Sequence, residues 1–126
     1  MNISFSQENI HIIDSENSKC LENAVPTTIG SVKCEQQALE AWKIELKKVV
    51  TEIKSKPQLL NVALFEEMQL AWETFHKSSV TFYYSYYQKH YEGGTLARIA
   101  TVSYEKRQIR KRVLYLLDFF KNLDEE

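Results

Sequence analysis

The sequence predicts an all-α protein, an antiparallel three-helix bundle with a polar N-terminal arm. The chain of 126 residues has only three glycines and two prolines, which argues against a turn-rich β-sandwich. Apolar residues recur at spacings of three and four over long stretches, the period of an α-helix. The breaks between these stretches are short, as in bundles of antiparallel neighbours. A single domain of this size can build its own core.

The N-terminal arm is predicted over residues 1–26, and the bundle domain over residues 27–126. The arm is rich in Asn, Ser and Glu and lacks a helical period. Ile10, Ile12 and Ile13 form its apolar cluster, which we expect to lie against the bundle. A short helical turn around residues 15–23 is the only regular structure expected there.

The first bundle helix is predicted from Pro26-Thr27-Thr28, where a hydroxyl can cap free N–H groups, to about Lys54. Pro57 ends it, because the residue before a proline avoids the α region. The expected core stripe has one member or two in every seven residues: Val32, Leu39, Trp42, Leu46, Val49 and Ile53.

The second helix is predicted to open at Pro57 and to end near Tyr91, with Gly93 supplying the left-handed position that stops it. The third is predicted from about Thr95. Their expected core stripes are Leu60, Leu64, Met68, Ala71, Phe75, Ser79, Phe82 and Tyr86 in the second helix, and Ile99, Val102, Ile109, Val113, Leu116, Phe120 and Leu123 in the third.

Enzymatic chemistry is not indicated by any motif in the sequence. There is no phosphate-binding glycine loop and no nucleophile elbow. His76 and His90 would lie roughly 21 Å apart along one helix, too far to share a metal. We therefore expect no catalytic residue, cofactor or metal. No apolar run reaches the roughly 20 residues that a membrane span needs.

The end of the second helix is dense in aromatic residues. Phe82, Tyr83, Tyr84, Tyr86 and Tyr87 would cover more than half of the helix circumference, more than one core-facing stripe requires. Some rings must therefore meet the arm, a second copy of the chain or a foreign partner. Tyrosine suits all three, because its ring is apolar and its tip is polar.

A basic run, residues 106–112, carries five cations in seven residues. A basic helix can bind phosphates, but the net charge of −1 gives no general attraction to nucleic acid. Pairing with glutamates of the first bundle helix is the favoured interpretation, so no nucleic-acid partner is expected.

Cys20 and Cys34 are too few for a zinc site, and on their own are either a disulfide or two unrelated thiols. The first residues lack the basic and apolar regions of a secretory signal. The sequence is thus compatible with a cytoplasmic protein or with an exported one whose signal has been removed.

Three sets of residues resemble the LprI-type lysozyme inhibitor family of exported bacterial proteins. One is Gln69-x-x-Trp72-x-x-Phe75, and another is Glu92-Gly-Gly-Thr-Leu96 with the later Arg112. The third is the opening, in which Cys20, Ala24, a Thr pair and Cys34 precede Trp42-x-x-x-Leu46. The resemblance covers about residues 20–117.

The resemblance implies a helical fold and a Cys20–Cys34 disulfide. The family's second cysteine pair would fall near Val80 and Tyr104, and we expect these two positions still to touch. The chain also departs from the family at Lys43 and Lys47, where Asp and Asn are usual, and at His76, where Arg is frequent.

The function implied is steric inhibition of a lysozyme or related cell-wall hydrolase by a periplasmic or exported protein. Our predicted partner-binding residues lie at the tip between the second and third helices: Tyr83, Tyr87, Tyr91, Glu92, Gly93, Gly94 and Thr95. The alternative is a cytoplasmic helical adaptor or self-associating module, with reduced cysteines and a Tyr-rich homodimer surface.

Overall fold

Four α-helices make up the part of the chain that the computed structural model describes, residues 3–24 and 28–123. They are α1 (Ile3–Ala24), α2 (Thr28–Lys54), α3 (Val62–His90) and α4 (Gly94–Leu123). Those two ranges contain no strand. The predicted all-α class is confirmed, and the predicted count of three helices is wrong.

The additional helix is α1, in the segment that was expected to be an arm. Ile13, Asn17 and Cys20 lie at helical spacings of four and three, and they face α2 or the core. Two of these three inward residues are not aliphatic, so the hydrophobic pattern alone did not reveal the helix. The predicted boundary between residues 26 and 27 lies outside the described residues.

Two helical hairpins, α1–α2 and α3–α4, pack together mainly through α2 and α4. A disulfide between Cys20 and Cys34 closes the first hairpin, with the Cα atoms 5.6 Å apart, so this prediction is confirmed. The two central helices run in the same direction. Near one end Glu35 meets Lys106, and near the other Ile53 packs with Leu116.

The core consists of two apolar clusters along α2 and α4. Trp42 and Val113 are 1% exposed, and Ile53 and Leu116 are fully buried. The predicted stripe of α2 is confirmed, since five of its six residues are buried and Leu46 packs against both clusters. On α4 the buried members of the predicted stripe are Ile109, Val113, Leu116 and Phe120.

The predicted core stripe of the second helix is wrong within α3, where all its members except the half-buried Ser79 are exposed; Leu60, which precedes α3, does pack against the core. Leu64, Phe75 and Phe82 are 60–62% exposed. The inward stripe begins one residue later, a rotation of about 100°, and includes the buried residues Phe65, Gln69 and His76. Its polar members have partners on α4, which is why a hydrophobic pattern selects the wrong face.

The start of α3 also differs from the prediction. Pro57 lies in the turn after α2, and the helix begins at Val62. Asn61 caps it, since its side-chain oxygen accepts a hydrogen bond from the Leu64 N–H at 3.0 Å. This is the geometry of a standard N-cap, so the proline is not needed to open the helix.

Candidate functional site

Three residues of the family-like motifs, Gln69, Trp72 and Arg112, meet in one cluster between α3 and α4, whereas Phe75 is exposed outside it. The Nε of Arg112 donates to the Oε1 of Gln69 at 3.0 Å. The Arg112 guanidinium lies 5.3 Å from the Trp72 ring centroid, and that ring stacks on His76 at 4.9 Å. Gln69 and His76 are buried. The cluster therefore joins two helices and offers little surface to a partner.

Charge in this cluster is partly compensated. Burial lowers the pKa of Arg112, although an arginine remains a cation at any physiological pH. His76 comes within 3.8 Å of Glu105, which is too long for a hydrogen bond, and this contact and Lys43 hold the Glu105 pKa below its usual value. Both His76 ring nitrogens and Nη2 of Arg112 have no hydrogen-bond partner among the described residues.

The predicted binding tip is the turn between α3 and α4, and its backbone is unusual. Glu92, Gly93 and Gly94 have φ of 56°, 82° and 80°, so three successive residues are left-handed. The Gly93 N–H donates to the Gln88 carbonyl at 2.6 Å, and the Glu92 N–H to the Lys89 carbonyl at 3.4 Å. These two bonds form a Schellman motif.

The Schellman motif places Glu92, not a glycine, at the first left-handed position. The prediction that Gly93 would supply this stop is therefore corrected by one residue. A left-handed conformation costs an L-residue with a side chain roughly 1–2 kcal/mol. Gly93 and Gly94 have open space around their Cα atoms, so only their φ angles favour glycine there.

The tyrosines predicted for the tip lie at different depths. Tyr83 is half-buried, and its ring packs against that of Tyr104 with centroids 4.2 Å apart. Tyr87 is also half-buried, whereas Tyr91 is 40% exposed. Tyr83 thus contributes to the α3–α4 interface, and the outermost ring is that of Tyr91. Contact between Val80 and Tyr104 stays a prediction.

A groove of about 330 Å³ runs beside the tip. Tyr87 and Tyr91 form one wall, and α4 supplies the other with Leu96, Ile99 and Arg107. Glu92 and Thr95 are exposed next to it, as is Gly94, while Gly93 is half-buried. The turn therefore brings most of the predicted binding residues to one end of the molecule.

The basic run on α4 is largely used inside the fold. Lys106 donates to both carboxylate oxygens of Glu35 at 3.0 Å and to Asn17 at 2.9 Å. Arg110 donates hydrogen bonds from Nε and Nη2 to the Asp14 carboxylate. The first of these contacts is the predicted pairing with a glutamate of the first bundle helix. Both reach α1, which composition alone did not show.

A second groove, of about 530 Å³, lies between α1 and α2. It is lined by the disulfide, by Ile12 and Ile44, and by polar groups such as Lys48. Sequence reasoning missed it because it expected no helix at α1. The described residues contain no group of side chains that could hold a metal ion and no helix long and apolar enough to cross a membrane.

Comparison with known proteins identifies the family. The family model described as "Lysozyme inhibitor LprI" matches residues 20–116, most of the chain. The chain belongs to the LprI lysozyme inhibitor family. No curated protein and no solved structure matches it.

The residues that resemble the LprI family fall into two groups with different structural roles. Gln69, Trp72 and Arg112 fix the contact between α3 and α4, while Glu92 and the glycines that follow shape the turn that joins them. The family is one of inhibitors, so a protein partner is the expected ligand. Its name and the Cys20–Cys34 disulfide fit an exported protein, because disulfides persist in oxidising compartments.

Proposed function

We propose that this LprI-family protein is a non-enzymatic inhibitor that blocks the substrate cleft of a lysozyme-like peptidoglycan hydrolase with its α3–α4 tip. The observation that carries the proposal is the tip itself. Its turn has three left-handed residues, is held by two backbone hydrogen bonds, and exposes Tyr91 and Glu92. A turn fixed before binding loses little conformational entropy when it enters a cleft.

The distance by which the start of α4 projects beyond the start of α2 also favours the tip as the binding surface. Glu35 lies seven residues after the start of α2, and its partner Lys106 lies twelve residues after the start of α4. Because these helices run in the same direction, α4 begins roughly 7 Å beyond the first residue of α2. The turn at its start can approach a concave enzyme surface ahead of α2.

Glu92 and Tyr91 are the tip residues proposed to contact the enzyme. Glu92 is the one carboxylate between residues 74 and 104, a segment that also carries Lys77, Lys89 and Arg98, so within this segment a contact with a basic group on the enzyme depends on Glu92 alone. Tyr91 adds an exposed ring, the residue type that most often anchors protein interfaces along with Trp and Arg. The proposed compartment is the periplasm, where the target and an oxidised disulfide would coexist.

A turbidity assay tests the proposal. Oxidised protein is titrated into animal-type and goose-type lysozymes that are digesting bacterial cell walls. We expect saturating inhibition near equimolar protein, and at least a roughly tenfold loss of potency for Tyr91→Ala combined with Glu92→Gln. The matched control is Tyr115→Ala combined with Glu66→Gln, which alters exposed residues away from the tip.

Two results would count against this proposal. Absence of inhibition of either enzyme at large excess would remove these lysozymes as targets. Equal loss in the tip and control variants would move the binding surface away from the tip.

The alternative is a helical adaptor or self-associating module that uses the Tyr-rich surface. The exposure of Tyr84 and Tyr86, 41% and 49%, favours it. It also requires reduced cysteines, which the Cys20–Cys34 disulfide disfavours. Thiol labelling of the protein isolated from its native cell discriminates between the two functions, since only the adaptor would react without prior reduction.

A further inference from the structure

One exposed stripe of α3 has a seven-residue repeat between Met68 and Ser85. Within it, every seventh residue from Met68 to Phe82 is large and apolar, and the residues three further on are small. One repeat earlier the small position holds Leu64, and one repeat later the large position holds Lys89. The large positions are Met68, Phe75 and Phe82, and the small ones are Ala71, Ser78 and Ser85; all six are exposed. A monomer gains nothing from presenting two phenylalanines more than 60% exposed along one stripe.

We propose that this stripe binds a second copy of the chain, with the two α3 helices packed antiparallel about a two-fold axis near residues 76 and 77. In an antiparallel pair, each large position of the stripe faces a small position of the partner's stripe. Phe75 then faces Ser78 of the partner subunit, Met68 faces the partner's Ser85, and Phe82 faces the partner's Ala71. The two-fold repeats these contacts.

Size matching selects this arrangement over a parallel one. In a parallel pair each layer brings together identical residues, so Phe75 would meet the partner's Phe75 while Ser78 met the partner's Ser78. Crowded layers would alternate with voids, and both cost stability. The antiparallel register instead gives six layers, each with one large and one small side chain, over roughly 25 Å of helix.

Charge agrees with the same register. Glu67 lies next to Met68 near the start of α3, and Lys89, seven residues after Phe82, continues the stripe near its end. The antiparallel register sets Lys89 opposite the partner's Leu64, roughly 5 Å along the helix from the partner's Glu67, so the two opposite charges are within reach at both ends of the interface. The two helices of a parallel pair would instead align like charges. The buried face of α3 lies about 100° away, so α4 does not occupy the proposed interface.

The dimer does not rest on the inhibitor function, because it uses a face of α3 and not the tip. Sedimentation velocity on the full oxidised chain tests it. We expect a species of twice 14.8 kDa at micromolar concentration. Phe75→Asp should weaken it at least roughly hundredfold, since each dimer would bury two uncompensated carboxylates. Ile44→Asp, at a residue 57% exposed on α2, should leave it intact.

Cysteine cross-linking tests the register. Met68→Cys and Ser85→Cys in one chain lie roughly 25 Å apart along α3 and cannot pair within it. In the antiparallel dimer they link across subunits, whereas either substitution alone does not. Cross-linking by each single variant would show a parallel pair and overturn the proposal. A monomer at all concentrations would also overturn it, as would a Phe75→Asp variant that stays dimeric or loses only hydrolase binding.

Discussion

Helices α2 and α3 have nearly the same length and a comparable number of apolar residues, yet they use them in opposite ways. In α2 the regular apolar stripe is the buried one, with Trp42 and Ile53 at 1% and 0% exposure. In α3 the regular stripe is exposed, and the helix docks through Gln69, Trp72 and His76. A helical period therefore shows that a face exists, but does not show what covers it.

The reason for the difference lies in α4. Opposite most of α2 it presents aliphatic residues such as Val113 and Leu116, which favour apolar contacts. Opposite α3 it presents such residues only near Phe65, and elsewhere Tyr104, Glu105 and Arg112, which need polar or aromatic partners. A buried polar group is tolerated where it is hydrogen-bonded, and Gln69 meets that condition through Arg112.

The largest expected effect is the difference in stability between a truncation in the α2 stripe and one in the α3 stripe. Ile53→Ala in α2 should lower the free energy of unfolding by about 2–5 kcal/mol, because it leaves a cavity in the core. Phe75→Ala in α3 should change it by less than about 0.5 kcal/mol, because the ring is 61% exposed. Urea denaturation at concentrations below the dimer dissociation constant measures both. Comparable losses would show that the α3 stripe is buried in the monomer.

A second test concerns the polar face of α3. Gln69→Leu keeps the size of the side chain but leaves Nε of Arg112 without its acceptor, and should cost about 1–3 kcal/mol. Gln58→Leu, in the exposed turn after α2, is the matched control and should stay within about 0.5 kcal/mol. If Gln69→Leu instead stabilised the protein, the α3 face would be an apolar interface that merely tolerates glutamine.

Part of the fold could be predicted from the sequence and part could not. The α2 stripe, part of the α4 stripe, the disulfide and the order of the motifs were predictable, because aliphatic periodicity and a family resemblance are local signals. The α1 helix and the inward face of α3 were not. Their inward residues include Asn17, Gln69 and His76. Asn17 and Gln69 form hydrogen bonds with residues of other helices, 17 to 89 positions away in the chain, which a local pattern does not reveal.

At the tip, the sequence located the turn but placed the left-handed stop at Gly93 instead of Glu92. A glycine pair is the usual signal for such a stop, and a glutamate there is not. Only the backbone hydrogen bonds to the Gln88 and Lys89 carbonyls determine which residue has the first positive φ.

Acid should weaken the contacts of α2 and of α3 with α4, because each includes a glutamate with a lowered pKa. Burial alone would raise the pKa of Glu35, but hydrogen bonds from Asn17, Ser103 and Lys106 outweigh it and hold the pKa below 4.5. The pKa of Glu105 is also lowered, by His76 first and then by Lys43. When folding lowers the pKa of a carboxyl group, the group stabilises the fold fully at pH values above its pKa in the unfolded state. This stability is lost as the pH falls through its pKa in the folded state.

We therefore expect the melting temperature to fall below pH 4.5, with a shallower decline in Glu35→Gln, which has already lost one of the titrating groups. The control is Glu40→Gln, at an exposed glutamate of α2, which should decline like the parent protein. Thermal melts monitored by circular dichroism between pH 3 and pH 7 provide the comparison. Identical slopes for Glu35→Gln and the parent would exclude Glu35 as an acid-sensitive attachment.

The smallest expected effect compares the two ends of α3, of which only the C-terminal one carries backbone strain. Glu92→Gly removes about 1–2 kcal/mol of left-handed strain but frees the unfolded chain, which costs about 0.4–1 kcal/mol. The strain term is larger, so thermal denaturation should show a net stabilisation of roughly 0.5–1 kcal/mol. Gly93→Ala should destabilise by a similar amount, through its φ of 82° and not through crowding. If hydrolase inhibition weakens in Glu92→Gly while stability rises, the strained glutamate is retained for binding; if inhibition is unchanged, the turn serves only to connect the helices.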